Sequence, residues 1–179
     1  GICFCFAPLM HQSMKHVAPV RKKLGVPTIF NLLGPLCNPA SAPFQLLGVG
    51  KPHLRNLLAQ ALAMLETSRA VVVCGEDGLD EVTLSGTTNI TVAEAGNFNE
   101  SHWTPADFGL QPAGKEAMLV ETAAESAAMI RGILDGNPGP SRDIVVLNAA
   151  AALWTVGHDE STQACAAQAA EAIDSGAAR

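Results

Sequence analysis

Apolar residues along the chain occur both as short continuous runs and as helical repeats. Strand-like runs cover residues 2–6, 44–49, 70–74 and 89–92. The run 70–74 is apolar throughout and is followed by Gly75, which is typical of a strand buried on both faces of a parallel-type sheet. Residues 97–114 are polar and interrupted by proline, so we expect an excursion without regular structure there.

Helical spacing of apolar residues predicts helices between these runs. The predicted helices cover residues 11–24, 28–33, 52–65, 122–134 and 161–173. Helix 28–33 is expected to end at Gly34-Pro35. Residues 144–154 are apolar on every side and include four consecutive alanines, which predicts a central buried helix.

Alternating strands and helices indicate a layered α/β domain, in which ligands bind outside the carboxyl ends of the strands. A length of 179 residues suits a single domain, and we expect no internal boundary in residues 1–179. The chain opens on a strand-like run without a starting methionine. We therefore expect it to begin inside a longer protein.

Composition narrows the functional class. Hydrophobic residues make up 48% of the chain and charged residues 16%, which excludes a disordered protein. The formal net charge of −6 disfavours a nucleic-acid partner. Five cysteines without a C-x-x-C pair indicate a reducing, cytoplasmic compartment, and residues 144–154 are too few to span a membrane.

The acidic loop, residues 75–81, directly follows the buried strand and is the first candidate for chemistry. Asp80 and Glu81 are hard oxygen donors that suit Mg²⁺, an ion that usually takes one or two protein carboxylates and leaves its other positions to water and phosphate. Both side chains can reach one ligand only if the backbone turns, which Gly75 and Gly78 permit. The alternative is a solvated acidic loop.

Three positions before residue 40 are further candidates. Arg21 either binds a substrate carboxylate through its guanidinium fork or stabilises the end of a helix. Gly34 either lets a ligand approach the backbone or occupies a buried corner. His11 is either a ligand, a base or a cap, and its five-residue separation from His16 does not suit a helical zinc pair.

Seven segments together resemble the anthranilate phosphoribosyltransferase family. They are FAP at 6–8 with His11 and Met14-Lys15, VRKKLG at 20–25, TIFNLLGPLCNP at 28–39, GEDGLDE at 75–81, PADFGL at 105–110, LNAA at 147–150 and AIDSG at 172–176. The resemblance runs through essentially the whole chain. Cys37, where the family commonly has Thr, and Gln12-Ser13, where it has Pro-Ala, are minor departures.

The resemblance implies the fold shared by nucleoside phosphorylases and phosphoribosyltransferases, with this chain as the C-terminal portion of the α/β domain. The helical N-terminal domain, the first strands and the glycine-rich loop that binds pyrophosphate would precede residue 1. By the same resemblance, Asp80 and Glu81 bind Mg²⁺ beside phosphoribosyl pyrophosphate (PRPP). Arg21 would bind the anthranilate carboxylate, and His11 and Gly34 would line the anthranilate site.

The implied activity is transfer of the phosphoribosyl group from PRPP to anthranilate, in the second step of tryptophan biosynthesis. No covalent catalytic residue is required, and we expect the parent to be a cytoplasmic homodimer formed through the absent helical domain. The chain alone is expected to be an inactive fragment. The alternatives are a pyrimidine nucleoside phosphorylase, and a nucleic-acid-binding relative of the same fold.

Overall fold

The computed structural model describes residues 6–10, 14–26 and 28–179. The chain divides into two compact units, Gly1–Ala42 and Pro43–Arg179. The expectation of one domain without an internal boundary stays a prediction. Strand-like residues 2–5 lie outside the described residues, while Phe6 is described and is not part of a strand.

The first unit is helical where it is described. Its helices are α1 (Ala7–Met10), α2 (Met14–Leu24) and α3 (Phe30–Leu36). Helix α2 ends where predicted, because Gly25 follows in the left-handed region with φ +65° and donates to the Arg21 carbonyl. The predicted end of α3 at Gly34-Pro35 is wrong. A proline removes only one backbone donor, and the helix continues to Leu36.

The second unit is built on a four-stranded sheet. In chain order its elements are β1 (Phe44–Gly48), α4 (Pro52–Met64), β2 (Arg69–Gly75), β3 (Thr88–Glu94), β4 (Asn97–Trp103), α5 (Ala123–Leu134), α6 (Pro140–Thr155) and α7 (Thr162–Asp174), with short 3₁₀ helices at Pro105–Phe108 and Lys115–Met118. The strands lie side by side in the order β1-β2-β3-β4. The layered α/β class is therefore confirmed.

Strand β2 is buried on both faces, as predicted, but the sheet is mixed. It pairs in parallel with β1 and antiparallel with β3. Val71 and Val73 lie in a core cluster with residues of α6 and α7. Val72 points to the other face, where its partner Thr91 hydrogen-bonds Arg55 of α4. Helices therefore cover both faces of the sheet.

The expectation that residues 97–114 lack regular structure is wrong for β4 (Asn97–Trp103) and for the 3₁₀ helix Pro105–Phe108. Strand β4 pairs with β3 over its whole length, with Glu94 opposite Asn97. All of its residues except Trp103 are exposed, which explains the polar composition. An exposed edge strand is held by its backbone ladder and needs no apolar pattern.

Helix α6 confirms the helix predicted at 144–154, but the helix is not buried on every side. Its buried residues are Val146, Leu147, Ala150, Ala151 and Thr155. Val145, Ala149 and Ala152 are all exposed. Small apolar residues carry little penalty in water, so apolar composition alone did not establish burial.

None of the helices in the described part of the chain is long and apolar enough to cross a membrane.

Among the described cysteines, Cys74 and Cys165 are buried and Cys37 is exposed, all as free thiols. Burial raises the pKa of the Cys74 thiol, which keeps it in the neutral form.

Candidate functional site

The acidic loop turns tightly at the carboxyl end of β2. Gly75 donates its N–H to the Leu79 carbonyl at 2.9 Å, and Gly78 donates to the Gly75 carbonyl at 3.0 Å. Gly78 has φ +82°, a conformation that favours glycine. The turn that the two glycines predicted is therefore present.

Asp77 holds this turn from inside. Its carboxylate accepts hydrogen bonds from the Leu79 N–H at 3.1 Å and from the Thr83 hydroxyl at 2.9 Å. A β-carbon on Gly75 would lie 2.5 Å from Asp77 Oδ1, so the carboxylate occupies space that only a glycine leaves open. Asp77 is therefore an anchor of the loop, a role that the sequence pattern did not indicate.

The hydrogen bonds to Asp77 also affect its ionisation. Burial acts to raise the pKa of the carboxyl, but hydrogen bonds from the Leu79 backbone and from Thr83 and Ser85 outweigh burial. The pKa of Asp77 therefore lies below its ordinary value, and the carboxylate form is favoured.

Asp80 and Glu81 are both exposed at the end of the loop. The backbone of Asp80 lies against Gly48, the last residue of β1, where an added β-carbon would meet the Asp80 carbonyl carbon at 2.4 Å. Strands β1 and β2 are parallel, so the carboxyl end of each lies at the same edge of the sheet. The two carboxylates are thus held where α/β sheets bind ligands.

Val82, the next residue, is fixed from two sides. Its side chain is fully buried in the core. Its N–H donates to Asn148 Oδ1 at 2.9 Å, and its carbonyl accepts from Asn148 Nδ2 at 3.0 Å. Asn148 interrupts the apolar run of α6, which is the sequence signal that could have marked it.

The residues of this loop fit a magnesium ion that is completed by other ligands. Within residues 6–10, 14–26 and 28–179, no group of three or more His, Cys, Asp or Glu side chains could hold a metal. Asp80 and Glu81 are two exposed hard donors on an anchored backbone. That donor set matches Mg²⁺, which keeps several water or phosphate oxygens.

Arg21 lies in the first unit, in the last turn of α2, where its side chain is half-buried. It borders an open recess of about 410 Å³. The residues lining the recess are Ala18, Arg21, Lys22, Gly25, Val26 and Asn31. Two cationic side chains at one recess favour an anionic ligand.

Gly34 lies within α3 and is not among the described residues that line this recess. Apart from Gly34 itself, its chain neighbours and the backbone of its own helix, no described atom lies within 4 Å of a β-carbon built on Gly34, so the space beside it is open. His11 lies outside the described residues. Arg21 and Gly34 belong to the first unit, whereas Asp80 and Glu81 belong to the second.

The whole chain matches one family of known proteins. Residues 1–179 match the family described as "Glycosyl transferase family, a/b domain". A curated relative, anthranilate phosphoribosyltransferase from Rhodopirellula baltica, is 50% identical over 179 residues, which are 100% of this chain and 52% of the relative. The chain therefore spans about half the length of the curated relatives it matches.

Two solved structures share the fold of this chain. Anthranilate phosphoribosyltransferase from Saccharomyces cerevisiae in complex with PRPP and Mg has a TM-score of 0.85 and 29% identity, covering 93% of this chain and 48% of that one. The same enzyme in complex with 4-fluoroanthranilate has a TM-score of 0.89 and 30% identity, covering 97% of this chain and 51% of that one.

Proposed function

The chain belongs to the glycosyl transferase family, a/b domain, and we propose that it forms part of an anthranilate phosphoribosyltransferase. In that reaction the anthranilate amine attacks C1 of the ribosyl group of PRPP. The bond from C1 to the pyrophosphate oxygen breaks, pyrophosphate leaves with the electron pair, and the amine loses a proton. The observation that carries the proposal is 50% identity to such an enzyme along the entire chain.

We assign Asp80 and Glu81 to the PRPP side of the site. The anchored loop places both carboxylates in solvent at the carboxyl edge of the sheet. A magnesium ion held there would neutralise charge on the departing pyrophosphate. The solved S. cerevisiae relative in complex with PRPP and Mg supports the use of Mg²⁺ with PRPP, and the assignment to these two residues rests on the resemblance of the GEDGLDE segment and on the position of the loop.

We assign Arg21 to the anthranilate carboxylate. A guanidinium can bind a carboxylate through two parallel hydrogen bonds, and the recess beside Arg21 is open to a small ligand. Gly34 and His11 are assigned to the same substrate. Open space beside Gly34 supports its assignment, and that of His11 rests on the resemblance of its sequence segment alone.

The reaction requires further groups that these residues do not supply. The sequence contains no glycine-rich phosphate-binding loop. A pyrophosphate needs several backbone N–H donors, and alignment of two substrates accounts for about 7–11 kcal/mol of a barrier. We therefore propose that the 179-residue chain is inactive by itself, and that the rest of a full-length enzyme supplies this loop and a helical domain that forms a cytoplasmic homodimer.

Two other functions are less well supported. A pyrimidine nucleoside phosphorylase shares the fold, but the curated relatives at 48–50% identity are anthranilate phosphoribosyltransferases. A nucleic-acid-binding relative would require a basic surface, and the net charge of −6 opposes phosphate binding along a nucleic acid.

The test uses a completed protein, in which these 179 residues are joined to the part of the R. baltica relative that they do not span. Loss of anthranilate fluorescence with PRPP and Mg²⁺ is measured, alongside phosphorolysis of uridine and thymidine. Transfer to anthranilate without phosphorolysis supports the proposal. Phosphorolysis without transfer would favour the nucleoside phosphorylase.

A further inference from the structure

The side chain of Asn148 makes hydrogen bonds both to the backbone that follows the acidic pair and to its own helix. Its Oδ1 accepts from the Val82 N–H at 2.9 Å, and its Nδ2 donates to the Val82 carbonyl at 3.0 Å. The same Nδ2 donates to the Ile144 carbonyl one turn earlier, at 3.1 Å. Both amide hydrogens therefore have acceptors, and the third bond ties the side chain to its own helix.

These two hydrogen bonds satisfy the Val82 backbone as a neighbouring strand would, although Val82 lies outside the strands. Val82 is not part of any described strand, yet its N–H and carbonyl both pair with one amide group. A carboxylate in place of the amide would keep the acceptor but lose the donor. Alanine would lose both.

The position of Asn148 in the sequence is locally unfavourable. Asparagine favours a helix less than alanine does, and Asn148 directly precedes four consecutive alanines in α6. A residue that opposes local preference indicates a role that helix formation does not explain.

We propose that Asn148 is a positioning residue for the metal-binding pair Asp80 and Glu81. Gly48 limits where the Asp80 backbone can lie, and Asn148 fixes Val82, so the pair is held from both sides. Asn148 acts through the backbone and contributes no metal ligand. The inference rests on the proposed metal role of the acidic pair.

The experiment uses the completed protein with PRPP bound and Mn²⁺ as a paramagnetic probe for Mg²⁺, because PRPP supplies the phosphate oxygens that complete the coordination of the ion. Binding is followed by broadening of backbone amide signals in NMR spectra, and hydrogen exchange of the Val82 amide is measured in the same samples. The variants are Asn148→Ala, Asn148→Asp and the double variant Asp80→Asn/Glu81→Gln. Val146→Ala is the matched control, because it removes packing from the same helix without removing a hydrogen bond to the loop.

Asn148→Ala is expected to weaken Mn²⁺ binding at the acidic pair about tenfold, as loss of a group that orients metal ligands does. Its Val82 amide should exchange at least about tenfold faster, because the acceptor is gone. Asn148→Asp should lie between wild type and Asn148→Ala in Mn²⁺ affinity. Val146→Ala should lower the unfolding temperature and keep wild-type Mn²⁺ affinity.

Wild-type Mn²⁺ affinity in Asn148→Ala, or an equal loss in Val146→Ala, would overturn the positioning role while leaving the metal site intact. If the double variant retains the broadening seen in wild type, or wild type shows none at residues 80–81, the metal role itself fails and the inference fails with it. The two failures are therefore distinguishable.

Discussion

A β-carbon built on Gly48 would lie 1.6 Å from the carbonyl oxygen of Asp80. The last residue of β1 and the first acidic residue of the pair are thus in backbone contact, across 32 residues of sequence. Gly48 belongs to the parallel strand pair that forms the sheet edge. This contact limits where the backbone of the exposed acidic loop can lie.

Gly48→Ala should therefore displace the acidic loop. The obstructing atoms belong to the backbone, so the clash cannot be relieved by a side-chain rotation. We expect a loss of about 1–3 kcal/mol in the free energy of unfolding, which is the usual cost of overpacking. Urea denaturation of the chain measures it.

Gly86→Ala is the matched control, because no described atom beyond Gly86 and its two chain neighbours lies within 4 Å of a β-carbon at Gly86. That variant should change the free energy of unfolding by less than about 1 kcal/mol. Equal losses of unfolding free energy in the two variants would show that the close approach of Asp80 to Gly48 does not destabilise Gly48→Ala.

Asp77→Asn should make the chain less sensitive to acid. The pKa of Asp77 is lowered by folding, so its carboxylate contributes stability above its ordinary pKa of 3.8. That contribution is lost as the pH falls through the lower pKa of the folded state. We expect the variant to be about 1–2 kcal/mol less stable at pH 7, with the difference shrinking below about pH 4.

The measurement is urea denaturation of both proteins between about pH 2 and pH 7, the range in which the carboxyl groups titrate. Glu76→Gln is the control, since it removes a charge from the same loop but none of the side-chain hydrogen bonds that hold the turn. A difference between wild type and Asp77→Asn that stays constant over the whole pH range would contradict this role of Asp77.

Arg21→Ala in the completed protein should weaken anthranilate binding more than PRPP binding. Loss of a charge-assisted pair of hydrogen bonds corresponds to about 1.5–3 kcal/mol, or roughly 10- to 150-fold in KM for anthranilate. Arg21→Lys should recover only part of the loss, because an ammonium lacks the planar fork. Steady-state kinetics with each substrate varied in turn measures this.

Lys22→Ala supplies the comparison, because Lys22 is another cation lining the same recess. It should raise the KM for anthranilate less than Arg21→Ala does. If Arg21→Ala raises KM equally for both substrates, the proposed binding of the anthranilate carboxylate by Arg21 is wrong.

Strong local patterns in the sequence predicted most of the fold. Residues 70–74 are apolar throughout and form the buried centre of β2. Helix α5 begins at the capping box of Thr122 and Glu125, and Ser161 caps α7. These elements carry their boundary signals within a few residues, so the sequence alone was sufficient.

Strand β4 was missed because its stability comes from pairing with β3. The signal that could have revealed it is the two-residue turn Ala95-Gly96, in which both residues have positive φ, at 49° and 79°. Such a turn is typical of a hairpin with right-handed twist. Alanine is uncommon in the first position of that turn, so the residue types Ala95-Gly96 did not indicate a hairpin.

The candidate site was predicted only in part. The acidic pair was identifiable because its loop follows a buried strand directly. Gly48 and Asn148, which support the pair, are 32 and 68 residues away from Asp80 in sequence. Contacts over such separations depend on how strands and helices pack, and no local pattern contains that information.

The most direct test of the proposed metal site compares two Asp-Glu pairs in the completed protein. Asp80→Asn/Glu81→Gln changes the proposed metal ligands, whereas Asp159→Asn/Glu160→Gln changes another exposed Asp-Glu pair outside the loop. Asn at position 159 keeps the oxygen that accepts from the Ser161 N–H at 2.7 Å. Both double variants lose the same charge.

The measurement is the initial rate of anthranilate fluorescence loss with PRPP, over a titration of Mg²⁺. We expect the Asp80/Glu81 variant to lose turnover about 100-fold or more, or to require far more Mg²⁺, while the Asp159/Glu160 variant follows wild type. Wild-type turnover of the Asp80/Glu81 variant at every Mg²⁺ concentration would contradict the metal role of the pair.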